Sequence, residues 1–261
     1  MQNLAKEINL PETAFVLKSS EADFKVRYFT PRNEIPFAGH PTIATAYLLA
    51  QKGRIQLAGR KTTVQFEFDI GVLPVEVLTK ADGSIEMVGM QQQAPEFKTT
   101  IDIAELAAEI GLSIDEFIDN APVQVVSTGV PFLMVPLKTL ESVKKVEMNR
   151  PKVRVLLQRA SVSAMFVFAP HGYTSNGNTF ARLMDPDNAG EDPYTGSATG
   201  CMGSFLYHYG ILKNSKIVCE QGHLMGRPGS GVLELEGTPE NIQKVRLYGE
   251  AVASLKGVYE N

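Results

Sequence analysis

Two stretches of this 261-residue sequence contain no Asp, Glu, Lys or Arg, and they constrain the fold more than any other feature. They cover residues 38–51 and 193–207, and a glycine follows each within a few residues, which favours the end of a helix. A helix that is apolar on all sides must be buried on all sides. Both runs are too short to cross a bilayer, which takes roughly 20 residues. The sequence therefore predicts two buried central helices, over about 41–51 and about 195–209.

The segments that precede the two helices resemble each other. The first reads VRYFTP and then FAGHPT, and the second reads ARLMDP and then GEDPYTGSAT. In each, an arginine lies four residues before a proline, an acidic residue follows, and an X-Pro step is expected to start the helix. The matched positions are Arg27 with Arg182, Pro31 with Pro186, Glu34 with Asp187, and His40-Pro41 with Asp192-Pro193. This repeat predicts an α/β (α+β) fold of two similar halves, each a rolled, mostly antiparallel or mixed sheet around a central helix.

Runs rich in β-branched and aromatic residues, such as Phe24–Phe29, predict the strands of both sheets. We place the first half at 1–113 and the second half at 114–249. A last strand near Val252–Tyr259 is expected to return to the first half, so that 250–261 completes its sheet.

The composition excludes several classes of partner. Hydrophobic residues make up 44% of the chain, the net charge is -4, and no basic block suggests a nucleic-acid partner.

The two cysteines, Cys201 and Cys219, form no disulfide framework, which favours a cytoplasmic setting. The first ten residues include Lys6 and Glu7 and lack an apolar core, so no secretory signal is expected. No uncharged stretch reaches the roughly 18–20 apolar residues that span a bilayer, so no membrane span is expected. The histidines have no metal-like spacing, and Walker A and HExxH motifs are absent from the sequence, so no metal or cofactor is predicted.

The N-termini of the two central helices are the predicted binding site. A helix N-terminus leaves backbone N–H groups unpaired and carries partial positive charge. Gly39 and His40 lie at the first N-terminus, and Thr195, Gly196 and Ser197 lie at the second. If the halves face each other, both N-termini converge on one anionic ligand, such as a carboxylate.

Five side chains near these termini are candidates for chemistry, and each also has a purely structural interpretation. Glu12 is either a general acid/base or a solvated residue at a strand end. His40 either takes part in proton transfer, as donor or acceptor, or simply caps its helix. Asp192 is either an N-cap or a partner of Glu12 or His40 in the site. Ser197 either binds the ligand or caps its helix. Cys201 has the functional interpretation of a nucleophile or a racemase base, and the structural interpretation of a small buried hydrophobic residue.

Four segments of the sequence resemble the PhzF-like family, which is named for a phenazine-biosynthesis isomerase and is related in fold to diaminopimelate epimerase. They are MQNLAKEINLPETAFVL, FTPRNEIPFAGHPTIATA, EDPYTGSATG and EQGHLMGRPG, and they follow the family order over nearly the whole chain. The resemblance implies the same pair of α/β halves with the site between them.

The resemblance also implies residue roles. Glu12 is expected to shuttle the proton, acting in turn as general base and general acid, while His40 and Asp192 flank the substrate. The residues expected to contact the substrate carboxylate are Gly39, Gly196 and Ser197. The implied activity is that of a cofactor-independent isomerase that moves a proton along a small carboxylate-bearing metabolite. A Cys201-dependent epimerase and a non-catalytic metabolite-binding protein are the alternatives.

Family members usually begin with a further strand and a Gly-Asn-Pro loop ahead of the first helix, whereas the printed sequence begins at that helix. An unpaired sheet edge invites pairing with another chain. We therefore expect a homodimer.

Overall fold

The computed structural model describes residues 1–188 and 190–258. These residues form six α-helices and fourteen β-strands, divided between two compact units. Unit 1 comprises Met1–Gln91 and the chain from Tyr248 onward, and unit 2 comprises Gln92–Leu247.

Unit 1 has one long helix and a mixed sheet. Its elements are α1 (Gln2–Ile8), β1 (Thr13–Leu17), β2 (Phe24–Phe29), β3 (Glu34–Ile35), α2 (Gly39–Gln51), β4 (Lys61–Phe68), β5 (Gly71–Thr79) and β6 (Ile85–Gln92). The strand order is β1-β2-β4-β5-β6, with β3 beside β2. Strands β1 and β2 are antiparallel, β2 and β4 are parallel, and β4 and β5 are antiparallel.

Unit 2 repeats this arrangement and extends it. Its elements are β7 (Glu96–Ile101), α3 (Ile103–Glu109), β8 (Val123–Ser127), β9 (Pro131–Pro136), α4 (Leu140–Lys145), α5 (Arg150–Arg159), β10 (Met165–Ala169), β11 (Thr179–Met184), α6 (Gly196–His208), β12 (Lys216–Gln221), β13 (Gly229–Thr238) and β14 (Asn241–Gly249). The strand order is β14-β13-β12-β11-β10-β9-β8-β7. Strands β10 and β11 are antiparallel, β11 and β12 are parallel, and β12 and β13 are antiparallel. The series β10-β11-β12-β13 therefore matches β1-β2-β4-β5, and the predicted pair of similar α/β halves is confirmed.

The two central helices differ in how completely they are buried. In α6, every residue from Ala198 to Leu206 is buried, against strands of its own unit. In α2, one face packs on the unit 1 core, whereas Ala44 is exposed and Leu48 is 38% exposed. Complete burial is therefore wrong for α2, because a helix covered on one face leaves its other face to solvent even when that face carries no charge.

The turns before β2 and β11 are fixed by the same hydrogen-bond pattern. The Asp23 N–H donates to the Gln65 carbonyl at 3.0 Å, and the Gln65 N–H donates to Asp23 Oδ2 at 2.7 Å. In unit 2, the Asn178 N–H donates to the Val218 carbonyl and the Val218 N–H donates to Asn178 Oδ1, both at 2.8 Å. These matched turns set the register of the parallel strand pair in each unit.

An acidic side chain one strand away holds each of these loops. Ser19 Oγ donates to Glu67 Oε2 at 2.5 Å in unit 1. In unit 2, Thr174 donates to Glu220 through Oγ1 at 2.5 Å and through its backbone N–H at 3.0 Å. Glu220 is 5% exposed, and these hydrogen bonds offset the cost of burying its carboxylate.

An arginine–glutamate pair anchors the loop that enters each central helix. Arg27 donates to both oxygens of Glu34, at 2.6 and 2.7 Å, and these hydrogen bonds lower the pKa of Glu34. Arg182 donates to Glu191, at 2.6 Å for the shortest contact. The predicted match of Glu34 with Asp187 is wrong, because the Asp187 carboxylate lies in an exposed turn and accepts from a different arginine, on α5.

The helices themselves correct the alignment of the repeat. Helix α2 begins at Gly39 and α6 begins at Gly196, and a paired glutamate lies five positions before each. This register aligns EIPFAGHPT with EDPYTGSAT. The predicted match of the two X-Pro steps is wrong, because Pro193 corresponds to Pro36 and not to Pro41.

Two further expectations differ from the structure or lie partly outside it. Residues 250–258 form no strand, so the predicted final strand is wrong over the residues described, and Tyr259 lies outside them. The sequence placed 92–113 in the first half, whereas these residues belong to unit 2. No helix in the described part of the chain is both long enough and apolar enough to span a membrane.

Candidate active site

In unit 1, Glu12 and His40 are brought together from different elements. Helix α1 ends at Ile8, Asn9 takes a left-handed conformation with φ 54°, and Glu12 directly precedes β1. His40 is the second residue of α2. Its Nε2 lies 3.2 Å from Glu12 Oε2, and the side chains are 47% and 22% exposed respectively. We call this pair, with Gly39, the Glu12 cluster.

The Glu12 cluster lies at a helix N-terminus that carries no side-chain cap within the described residues. The N-cap position is Ala38, whose methyl group cannot accept a hydrogen bond. The first-turn N–H groups and the partial positive charge at this terminus therefore suit a negatively charged group. Interpreting His40 as a helix cap is wrong, because its ring contacts Glu12 instead.

In unit 2, Asp192 does not cap its helix. Helix α6 begins at Gly196 and its N-cap is Thr195. Asp192 Oδ2 accepts a hydrogen bond from Thr195 Oγ1 at 2.7 Å, and its Oδ1 lies 3.4 Å from the Tyr194 N–H. Asp192 is half-buried, and its N-cap interpretation is wrong because three residues separate it from the helix.

The other two predicted residues of unit 2 form the first turn of α6. Gly196 is buried, and a Cβ at this position would lie 3.0 Å from Leu247 Cδ2. Ser197 is half-buried, and no described side chain caps α6, so a capping role for Ser197 is wrong.

Sequence reasoning missed two buried glutamines that contact this turn. Gln221, at the end of β12, binds Asp192 and Thr195, and Gln92 Nε2 donates to the Gly196 carbonyl at 2.9 Å. The available signal was an amide side chain at the last position of a strand, because a buried amide must find hydrogen-bond partners. We call Asp192, Thr195, Gly196, Ser197 and Gln221 the Asp192 cluster.

Cys201 lies in the core and not at a reactive surface. Its side chain is 0% exposed, and its Sγ lies 3.4 Å from Thr128 Oγ1. Burial raises the pKa of the Cys201 thiol to about 11. A base for proton abstraction near neutral pH needs the thiolate, so this environment disfavours the Cys201 alternative.

We expect both thiols of the folded protein to resist alkylation by iodoacetamide near neutral pH. Burial also raises the pKa of Cys219, to about 12, and both residues are free thiols. Intact mass spectrometry is expected to show no adduct on the folded protein and two adducts after unfolding in guanidinium. Rapid labelling of Cys201 in the folded state would contradict its assignment to the core.

No group of three or more His, Cys, Asp or Glu side chains that could hold a metal ion occurs in residues 1–188 and 190–258. The residues described at the N-termini of α2 and α6 provide carboxylates, an imidazole, hydroxyls and first-turn backbone N–H groups. These groups serve general acid–base chemistry and anion binding.

Comparisons with known proteins show close relatives over almost the whole chain. The model of the PhzC-PhzF family, described as phenazine biosynthesis-like protein, matches residues 1–257. The uncharacterized isomerase YfhB of Bacillus subtilis is 35% identical, with 97% of this chain and 86% of that protein covered. Trans-2,3-dihydro-3-hydroxyanthranilate isomerase of Pseudomonas aeruginosa is 33% identical, with 98% of this chain and 87% of that protein covered.

A solved structure agrees with these matches. The crystal structure of a PhzF-family phenazine biosynthesis protein from Bacillus anthracis has a TM-score of 0.83 and 27% identity, covering 95% of this chain and 84% of that one. The predicted family and enzyme class are confirmed: the chain belongs to the PhzC-PhzF family of phenazine biosynthesis-like proteins and is an isomerase of a small metabolite.

Proposed function

We propose that this isomerase moves a proton between two carbons of a small carboxylate-bearing metabolite, without a cofactor, and that Glu12 carries the proton. The observation that carries the proposal is the 3.2 Å contact between Glu12 and His40 at the N-terminus of α2. A half-buried carboxylate that is held by an imidazole and still reaches solvent can both accept and return a proton.

The reaction is balanced within the substrate. The Glu12 carboxylate takes a proton from one carbon, and the electron pair of that C–H bond forms a new double bond to the adjacent carbon. The π electron pair of the original double bond moves at the same time to the far carbon. The protonated Glu12 then returns the proton to a second carbon, so that the double bond has shifted and no group is gained or lost. His40 holds Glu12 in position, and we assign Asp192 an assisting role.

The carboxylate of the substrate is the group we assign to the helix N-termini. Gly39, Gly196 and Ser197 lie in the first turns of α2 and α6, where backbone N–H groups and the helix dipole favour an anion. Gly39 and Gly196 lack a Cβ, which allows a ligand to approach the backbone closely. The convergence of both termini on one ligand stays a prediction from the sequence.

Isotope exchange tests the proposal directly. The protein would be incubated in heavy water with trans-2,3-dihydro-3-hydroxyanthranilate, the substrate named for the Pseudomonas relative, and with a panel of small cyclic and amino carboxylates. We expect solvent deuterium to enter at least one compound, detected by mass spectrometry. Dialysis against a chelator should leave the rate unchanged, because no step uses a metal.

Two outcomes would contradict the proposal. Saturable binding of a panel compound without deuterium uptake would favour the non-catalytic alternative. Uptake that is abolished by the chelator would show that the reaction needs a metal ion.

We also propose a homodimer located in the cytoplasm. Large apolar side chains lie at the surface of unit 1, with Leu10 57% and Leu48 38% exposed, and such side chains favour association when they cluster. The two free thiols suit a reducing compartment. Light scattering that gives the mass of one chain at micromolar concentration would contradict the dimer.

A further inference from the structure

We propose that Gln221 is a positioning residue that holds the Asp192 carboxylate for catalysis. The inference rests on the proposed function, in which Asp192 assists proton transfer. Gln221 contacts Asp192 and Thr195 and is 2% exposed, so it acts through these residues and not on the substrate.

The hydrogen bonds fix the orientation of the Gln221 amide without ambiguity. The Thr195 backbone N–H is a donor, so the atom facing it at 2.9 Å must be Oε1. The Asp192 carbonyl is an acceptor, so the atom facing it at 2.7 Å must be Nε2. One amide therefore links both ends of the four-residue loop 192–195 that precedes α6, which we call the Asp192 loop.

The same amide also sets the direction of two consecutive hydrogen bonds that end at Asp192, which we call the donor chain. Gln221 Nε2 donates to Thr195 Oγ1 at 3.1 Å. The Thr195 hydroxyl proton is then directed to Asp192 Oδ2, at 2.7 Å. This chain fixes Oδ2 of Asp192 and leaves Oδ1 with the long contact to the Tyr194 N–H, at 3.4 Å.

The strand that carries Gln221 is a rigid base for this contact. In β12, Gln221 pairs with Ala181 of β11 on one side and with Gly229 of β13 on the other. The residue is 2% exposed. A side chain with its backbone paired on both sides can transmit little motion to the Asp192 loop.

Unit 1 shows that the fold does not need this amide. The shared register of the two units matches Gln221 with Phe68, which is 4% exposed in the unit 1 core. The same repeat matches Asp192 with Ile35 and Thr195 with Ala38. All three polar members of the unit 2 arrangement are thus apolar in unit 1, where the equivalent helix forms without them. The Gln221 amide therefore occurs in the unit that carries the Asp192 carboxylate and is replaced in the unit that lacks this carboxylate. This is the pattern expected of a positioning residue.

A double-mutant cycle tests the inference with Gln221→Met, Asp192→Asn and their combination. Turnover is followed by deuterium uptake into the panel compound that wild type exchanges fastest. We expect Gln221→Met alone to lower kcat about 10- to 100-fold with a smaller change in KM, because a small misplacement of a catalytic group costs rate. In the Asp192→Asn background, Gln221→Met should lower kcat by less than about twofold, because residues that act as one unit are non-additive.

Gln124 is the matched control. It is also a buried glutamine with two amide contacts, donating to the Lys98 carbonyl at 2.9 Å and accepting from Tyr209 Oη at 2.7 Å, and neither contact involves the Asp192 loop. Gln124→Met should therefore leave kcat near wild type. A loss of turnover equal to that of Gln221→Met would mean that any buried glutamine has this effect, and would overturn the inference.

The hydroxyl of Thr195 supplies the rescue. Thr195→Ser keeps the donor chain and should retain most of kcat, whereas Thr195→Val removes it and should lower kcat like Gln221→Met. Full additivity of Gln221→Met with Asp192→Asn would overturn the positioning role while leaving the proposed function intact. A wild-type protein that exchanges no panel compound would instead overturn the proposed function itself.

Discussion

Replacing Glu12 with glutamine is expected to lower kcat by about 100- to 10,000-fold, because the variant keeps the shape of the side chain and loses the group that carries the proton. The amide can still accept a hydrogen bond from His40, so binding of the substrate should change far less than turnover. The measurement is the rate of deuterium uptake from heavy water into the substrate, compared with the affinity for the same compound.

A glutamate on α1 provides the control for this change. Glu7 is exposed and lies on the helix that precedes Glu12. Glu7→Gln removes the same charge from the same part of the chain and should leave kcat unchanged. Full turnover by Glu12→Gln on an identified substrate would show that another group carries the proton.

Replacing Gly222 with alanine is expected to give the largest loss of stability among single-methyl changes near the site, about 2–4 kcal/mol in the free energy of unfolding. Gly222 has φ 83°, and an added Cβ would lie 2.2 Å from the Arg227 carbonyl oxygen and 2.5 Å from the Pro193 carbonyl oxygen. Both contacts are backbone atoms, so neither can rotate away. Because Pro193 follows Asp192 directly, the same change should also lower turnover.

Substitution of Gly226 is the control that separates the cost of a left-handed backbone conformation from the cost of steric contacts with the added methyl group. It has φ 69°, and nothing lies within 4 Å of an added Cβ. Gly226→Ala therefore incurs only the left-handed backbone penalty, about 1–2 kcal/mol. Urea unfolding followed by circular dichroism is the suitable measurement, since the chain has no tryptophan. Equal destabilisation by the two substitutions would show that the loop at Pro193 yields to the added methyl group.

Local sequence patterns predicted many of the elements of this fold. The strand predicted over Phe24–Phe29 matches β2, and the helices predicted over about 41–51 and about 195–209 match α2 and α6 within two residues. These elements have strong apolar patterns and clear ends, so short-range preferences are enough to define them. The strand predicted near Val252–Tyr259 is wrong over 252–258, because apolar and β-branched residues favour a strand only where a neighbouring strand offers hydrogen bonds.

The repeat illustrates what a sequence comparison can misalign. The loop between Arg182 and Glu191 is two residues longer than the loop between Arg27 and Glu34, and this insertion shifts the apparent match of the prolines. Only the contacts show that each arginine reaches a glutamate five positions before its helix. Similarity between short sequence segments is therefore a weaker guide to equivalent positions in the two units than equivalent hydrogen bonds are.

The sequence by itself determined the family, the two charge-free helices and the residue types at their N-termini. The tertiary structure decided which of those residues touch: Glu12 meets His40 across 28 positions of the chain, and Gln221 meets Asp192 across 29. Such contacts follow from strand register and from where a loop enters a helix. No local preference encodes either, because both are set by the simultaneous packing of segments that are distant in sequence.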